Sequence, residues 1–223
     1  MEKLNVDKIY VVHYEQNLDR RAYLEPMLAR LGNEVEFCSY PLRSDLTPEL
    51  VDRYYRHDEV GARRASRHQR DFLPRMNEGG IAATISHFEI FKKAIAEIDT
   101  TCLILEDDVL LNPNFEWFNH FLARTPEDWE AIFIGDGCNM HHRPLIENQV
   151  AYQRTREVTR CADSIIYKKS LLEKIVKNYQ TFTQPIDWEL ELILLELGAK
   201  VYWWEPTLVT QGTERGVYKS NVR

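Results

Sequence analysis

Three consecutive acids, Glu106, Asp107 and Asp108, follow directly on the apolar run Cys102-Leu-Ile-Leu105. A short, continuous apolar run reads as a strand buried on both faces of a parallel sheet. In an open α/β sheet the carboxyl ends of the strands open onto the ligand crevice, so these acids stand where a ligand binds. With the chain still extended, Glu106 and Asp108 share a side, because side-chain direction alternates with a period of two. Two hard oxygen donors on one side suit Mn²⁺ or Mg²⁺, which take few protein ligands and fill the remaining positions with water and substrate phosphate oxygens. The competing reading is a solvated acidic turn.

Two further groups invite chemistry. Arg63, Arg64, Arg67, Arg70 and Arg75 form a basic cluster, read as a solvated helix face, a nucleic-acid patch, or a contact for phosphate or an acidic acceptor. Gly79-Gly80 opens a helical pattern and leaves backbone N–H groups for an anion. Ser86 and His87 flank that helix's apolar stripe, where a histidine is either structural or functional.

The elements that must position these residues follow from periodicity. Ile9–His13 is rich in β-branched and aromatic residues and reads as a first strand. Tyr23, Leu24, Met27, Leu28 and Leu31 recur at helical spacing before Gly32, and Val35–Cys38 is a second strand. Thr47-Pro48 is a helix start with Thr47 as cap. Ile81, Ile85, Phe88, Phe91, Ile95 and Ile98 make one helical stripe. A helix begins at Asn112-Pro-Asn and carries Phe115, Phe118, Phe121 and Leu122; Ala131–Ile134 and Ser164–Tyr167 read as strands. His141 and His142 fall in an irregular run, as loop residues. Ser170 is expected to cap one helix and Asp187 the last, which Gly198 stops. A strand over 200–204 precedes a loop-like segment from Gln211 to Gly216. Strands alternating with helices indicate one α/β domain over residues 1–223 with a largely parallel sheet.

Composition excludes several functions. Hydrophobic residues make up 44% and charged residues 28%, ordinary for a globular chain. With 28 basic against 35 acidic residues the net charge is −7, which disfavours nucleic acid as a partner. No apolar run of about 18 residues exists to span a bilayer, and the first residues lack a signal peptide's basic and apolar regions. Cys38, Cys102, Cys138 and Cys161 are scattered, without C-x-x-C, so neither a zinc site nor a disulfide framework is indicated. A cytoplasmic setting is expected, unless the chain is a domain excised from a larger protein.

Four blocks, in order, resemble glycosyltransferase family 25. They are Gly79-x-Ile-x-x-x-Ile-Ser-His87, Leu103-Ile-Leu-Glu-Asp-Asp-Val109, Ile186-Asp-Trp-Glu-Leu190 and Val201-Tyr-Trp-Trp-Glu-Pro-Thr-x-Val-x-Gln-Gly212. Asn17-Leu-Asp-Arg-Arg21 after the first strand is similar to the family's opening. The resemblance implies a GT-A (Rossmann-like) fold, a UDP-sugar donor, inverting chemistry, and the acidic triplet in place of a D-x-D motif. The family usually carries an acid after the first glycine of the helix block; Gly80 stands there, which bears on acceptor choice or activity.

On that footing Glu106 and Asp108 are expected to hold Mn²⁺ (or Mg²⁺), Asp107 to bond ribose or sugar hydroxyls, and Gln211 to reach metal or diphosphate. Val12, His13 and Tyr14 are expected at the uridine, and Ser86 and His87 to hold the donor or organise the acidic strand end. Asp187 is the candidate general base, against a plain helix cap that would lower its pKa; Glu189 and Asp136 are substitutes. Trp188, Trp203 and Trp204 either stack on a sugar or pack in the core. The acceptor is expected to be a glycan, a lipid-linked saccharide or a protein hydroxylysine. Two rivals predict different products: a degenerate member binds nucleotide-sugar or glycan without turnover, and a Mg²⁺ phosphohydrolase releases inorganic phosphate.

Overall fold

The computed structural model describes residues 2–57 and 75–220. Five of the seven strands in the main sheet point the same way. Their order is β2-β1-β3-β7-β5-β8-β6, with β1 Lys8–Val12, β2 Glu34–Cys38, β3 Thr101–Glu106, β5 Ala131–Phe133, β6 Ala151–Arg154, β7 Ser164–Lys168 and β8 Val201–Trp204. Pairs β1–β2, β1–β3 and β5–β8 are parallel; β7 runs against both β3 and β5, and the edge strand β6 runs against β8. The expected α/β class with a mostly parallel sheet is what is observed. The reversed β7 was not foreseen, because a strand buried on both faces shows no direction in its sequence. A second, two-stranded sheet pairs β4 Val109–Leu111 with β9 Val209–Gln211.

Period-two alternation along the central strands sorts the core into two layers. Tyr10, Cys102, Ile104, Ile165, Tyr167 and Trp203 face one side. There they meet α3 Glu78–Glu97, α5 Lys169–Asn178 and α6 Ile186–Glu196. Ile9, Val11, Leu103, Leu105, Ile166 and Trp204 face the other side, against α1 Leu18–Ala29 and α4 Phe118–Arg124. Covering both faces is what allows the central strands to be apolar throughout.

Local chemistry explains most element ends. Thr47 accepts a hydrogen bond from the Leu50 N–H and Pro48 opens α2 Pro48–Tyr54. Two expected caps are corrected. Lys168 precedes α5, so Ser170 lies inside its first turn. Pro185 precedes α6, which leaves Asp187 as the second helical residue. The helix expected from Asn112 opens as a 3₁₀ turn, Pro113–Trp117, and becomes α-helical only at Phe118. His141 and His142 are loop residues, as expected. Among the described residues no helix is long and apolar enough to cross a membrane.

Candidate functional site

The carboxyl ends of β1 and β3 lie side by side, with Val12 in register with Glu106. Because β7 is antiparallel, its leading residues arrive at this same edge: the Glu106 N–H donates to the Asp163 carbonyl at 2.7 Å. Beyond β3 the chain turns at Asp107 and Asp108 into β4, and β9 brings Gln211 opposite Val109. Gly212 allows that closeness, since a Cβ there would sit 2.6 Å from the Asp108 carbonyl oxygen. A cavity of about 670 Å³ opens at this edge. Val12, His13, Tyr14, Ser86, Glu106, Asp107, Asp108, Asp187 and Gln211 all line it.

The three acids have different surroundings. Asp107 is buried and bound by four protein donors. Its Oδ2 lies 2.9 Å from His13 Nδ1 and accepts from the Tyr14 N–H and from Asn17 Nδ2. Its Oδ1 accepts from Arg20 Nη1 at 2.7 Å. Burial raises its pKa, but the bonds from His13, Asn17 and Arg20 outweigh it and hold the carboxyl below the ordinary range. Four protein donors thus fix the Asp107 carboxylate at the cavity wall.

Asp108 accepts from the Thr213 hydroxyl through Oδ2, while its buried Oδ1 has no hydrogen-bond partner. Burial pushes its carboxyl up, against the pull of Thr213 and Arg20. Glu106 keeps 26% of its side chain exposed, and its Oε1 lies 3.4 Å from His87 Nε2. Burial raises it well above the usual carboxylate range, reinforced by the negative charges of Asp108, Asp187 and Asp107. His87 is fully buried, and desolvation pushes it down to about 4, so it is neutral near pH 7.

Asp187 faces the cavity from the first turn of α6. Its pKa is raised, because burial outweighs the backbone N–H bonds that draw it down. That reverses the lowering expected of a cap. The substitutes are otherwise engaged: Glu189 is fully buried and accepts from the Thr183 N–H and hydroxyl, and Asp136 accepts from Arg215 and from the Gln211 N–H. Ser86 donates to the Tyr40 carbonyl. Trp203 and Trp204 are core residues, whereas Trp188 lines the cavity. Asn77 caps α3 by accepting from the Gly80 N–H, so that amide is closed to an anion. Of the basic cluster, Arg75 lines the cavity and Arg63, Arg64, Arg67 and Arg70 fall outside the described residues.

Sequence reasoning missed Arg20, Asp163, Cys138 and Cys161. Arg20 meets Asp107 across 87 residues, a distance at which no local pattern exists. Asp163 is buried with its Oδ1 lacking a partner, and is raised well above the usual range by burial and by Glu106, Asp108 and Asp136. A raised acid binds its proton more tightly folded than unfolded, so stability falls as pH climbs from the unfolded value of 3.8 through the folded one. Asp163→Asn removes this charge. In urea titrations of metal-free protein, its stability relative to wild type should be more favourable at pH 8 than at pH 5; a constant difference would refute the assignment.

Hard carboxylate and amide oxygens without partners fit a divalent cation. Asp108 Oδ1 and Gln211 Oε1 are both buried and unpartnered, in the cavity that Glu106 also lines. Among the described residues no three His, Cys, Asp or Glu side chains are grouped to hold a metal by themselves. A cation here would rely on few protein ligands and on substrate oxygens, as Mg²⁺ commonly does.

The family profile described as Glycosyltransferase family 25 (LPS biosynthesis protein) matches residues 6–185. A "Glycosyltransferase 25 family member" of Aedes aegypti is 27% identical over 141 residues, covering 60% of this chain and 22% of that protein. One from Drosophila melanogaster is 25% identical over 153 residues, 66% of this chain and 24% of that one. The match thus spans less than a quarter of these relatives' length. A crystal structure of a glycosyltransferase involved in the glycosylation of the major capsid of PBCV-1 aligns with 92% of each chain at 12% identity and a TM-score of 0.47.

Proposed function

The chain belongs to glycosyltransferase family 25, and from that premise we propose that it is a metal-dependent, inverting transferase domain of GT-A type. It moves a hexose, galactose or glucose, from a UDP-sugar to a hydroxyl of a glycan, a lipid-linked saccharide or a protein hydroxylysine. The observation that supports this reading is the pair of buried, unpartnered oxygens, Asp108 Oδ1 and Gln211 Oε1, in the cavity shared with Glu106. Glu106 and Asp108 would hold Mn²⁺ or Mg²⁺, with Gln211 as a neutral further donor. When bound, the cation supplies positive charge against the departing diphosphate.

The chain's own residues do the rest. Asp187, its carboxyl raised by burial, takes the proton of the acceptor hydroxyl as that oxygen attacks the anomeric carbon from the face opposite the diphosphate. Neutral His87 holds Glu106 in place through Nε2. Val12, Tyr14 and His13, whose Nε2 is buried without a partner, form the wall for uridine. Trp188 offers an aromatic face beside Asp187.

A thermal-shift titration tests the reading. UDP with Mn²⁺ should raise the melting midpoint well beyond either alone, because ligand at 100 times its Kd adds about 2.7 kcal/mol. UDP-galactose and UDP-glucose then identify the sugar by the larger shift. If UDP plus Mn²⁺ does no more than Mn²⁺ alone, the reading fails; binding without UDP release from either sugar identifies a degenerate binder.

A further inference from the structure

Cys138 and Cys161, 23 residues apart in sequence, meet in the wall of the same cavity, their sulfurs 3.0 Å from one another. That is about 1 Å longer than a covalent S–S bond. The approach is built into the backbone. Cys138 lies in the 3₁₀ turn Gly137–Asn139, and both cysteines hold left-handed conformations, φ 54° and 59°. Such φ values are uncommon outside glycine. Gly137 packs so closely that a Cβ there would sit 2.1 Å from the Arg160 carbonyl oxygen and 2.7 Å from Cys161 Cβ. Arg160 is itself locked: fully buried, it donates to the Gly135 and Trp204 carbonyls and pairs with Glu205 at 2.5 Å. Both segments carrying the thiols are therefore fixed against each other by packing.

We propose that Cys138 and Cys161 form a dithiol site that reacts with small-molecule disulfides and closes to an intramolecular disulfide in the cavity wall. Cys138 is exposed and Cys161 partly buried, so Cys138 is the attacking thiol. Its deprotonated sulfur attacks one sulfur of the oxidant, the oxidant's S–S bond breaks, and one small thiol leaves. Cys161, on losing its proton, attacks Cys138 Sγ and expels the second small thiol. Two protein S–H bonds are lost and one S–S bond forms. The protein gives up two electrons and two protons, which leave on the two thiols. The product ties the loop after β5 to the segment before β7, beside Asp187. The inference is independent of any donor or metal.

The experiment treats the full chain with oxidised glutathione and reads intact mass, cross-linked peptides and melting midpoint. The expected product has lost two hydrogen atoms and joins the peptides containing Cys138 and Cys161. With a loop of this length and packing that already sets the geometry, its midpoint should rise by roughly 5–10 °C. Cys161→Ser should stop at a glutathione adduct on Cys138, Cys138→Ser should give no intramolecular bond, and Cys102→Ser should behave as wild type. A wild-type product that stalls at the adduct, a bond joining any other pair, or a midpoint that falls on closure would overturn the proposal.

Discussion

Asp108→Asn is expected to lower UDP release from the preferred UDP-sugar in the presence of Mn²⁺ by about 10²–10³-fold, the scale of losing one preorganised electrostatic contact to a leaving group. Asparagine keeps the shape and can still accept from the Thr213 hydroxyl, which the wild-type carboxylate does through Oδ2. It removes the negative charge and changes the oxygen that has no protein partner. Folding should therefore survive while the Mn²⁺-dependent thermal shift with UDP is lost. Turnover within threefold of wild type would remove Asp108 from the metal site and leave it a structural partner of Thr213.

The second large effect is on stability. Asp107→Ala should cost about 3–5 kcal/mol, because it strips the partner from a buried cation and leaves that charge uncompensated. Arg20 is only 7% exposed and loses its Asp107 bond; His13, Asn17 and the Tyr14 N–H lose theirs as well. For a chain of this size each kcal/mol moves the melting midpoint by about 2–4 °C, so a fall near 10 °C is expected. The sign with pH follows from the depressed carboxyl. Its contribution is fully present above the unfolded value of 3.8 and disappears as pH drops through the lower folded value. The variant's deficit should be equal at pH 6 and 8 and shrink only below about pH 4. A deficit under 1 kcal/mol in urea at pH 7 would show that water replaces the carboxylate at little cost.

Both predictions concern one acidic triplet that was visible in the sequence, yet only part of its division of labour was. The apolar run ending in carboxylates identifies the sheet edge because burial and position are coded locally. Which carboxylate is occupied by protein partners is not local: Arg20 reaches Asp107 from 87 residues away, and Thr213 reaches Asp108 from 105. The same distance problem hid Asp163 and the Cys138–Cys161 pair: Cys138 follows β5, while Asp163 and Cys161 reach the edge because β7 is reversed. Asp187 lies on the last helix, as its sequence block indicates, but two residues past the cap, since Pro185 supplies the start. Edge strand β6, Ala-Tyr-Gln-Arg, was missed because it carries one aromatic and no β-branched residue.

The ribbon of β4 and β9 has a consequence for the order of events during synthesis. Gln211 and Thr213 complete the acidic edge, Tyr218 lies over the Arg20 guanidinium, and the Lys219 carbonyl accepts from Arg20. Synthesis runs from the N-terminus, so the acidic edge at the ends of β1 and β3 is completed only once residues 209–219 have been made. A chain cut before residue 209 would lack the ribbon, the Thr213 bond to Asp108 and both ties to Arg20.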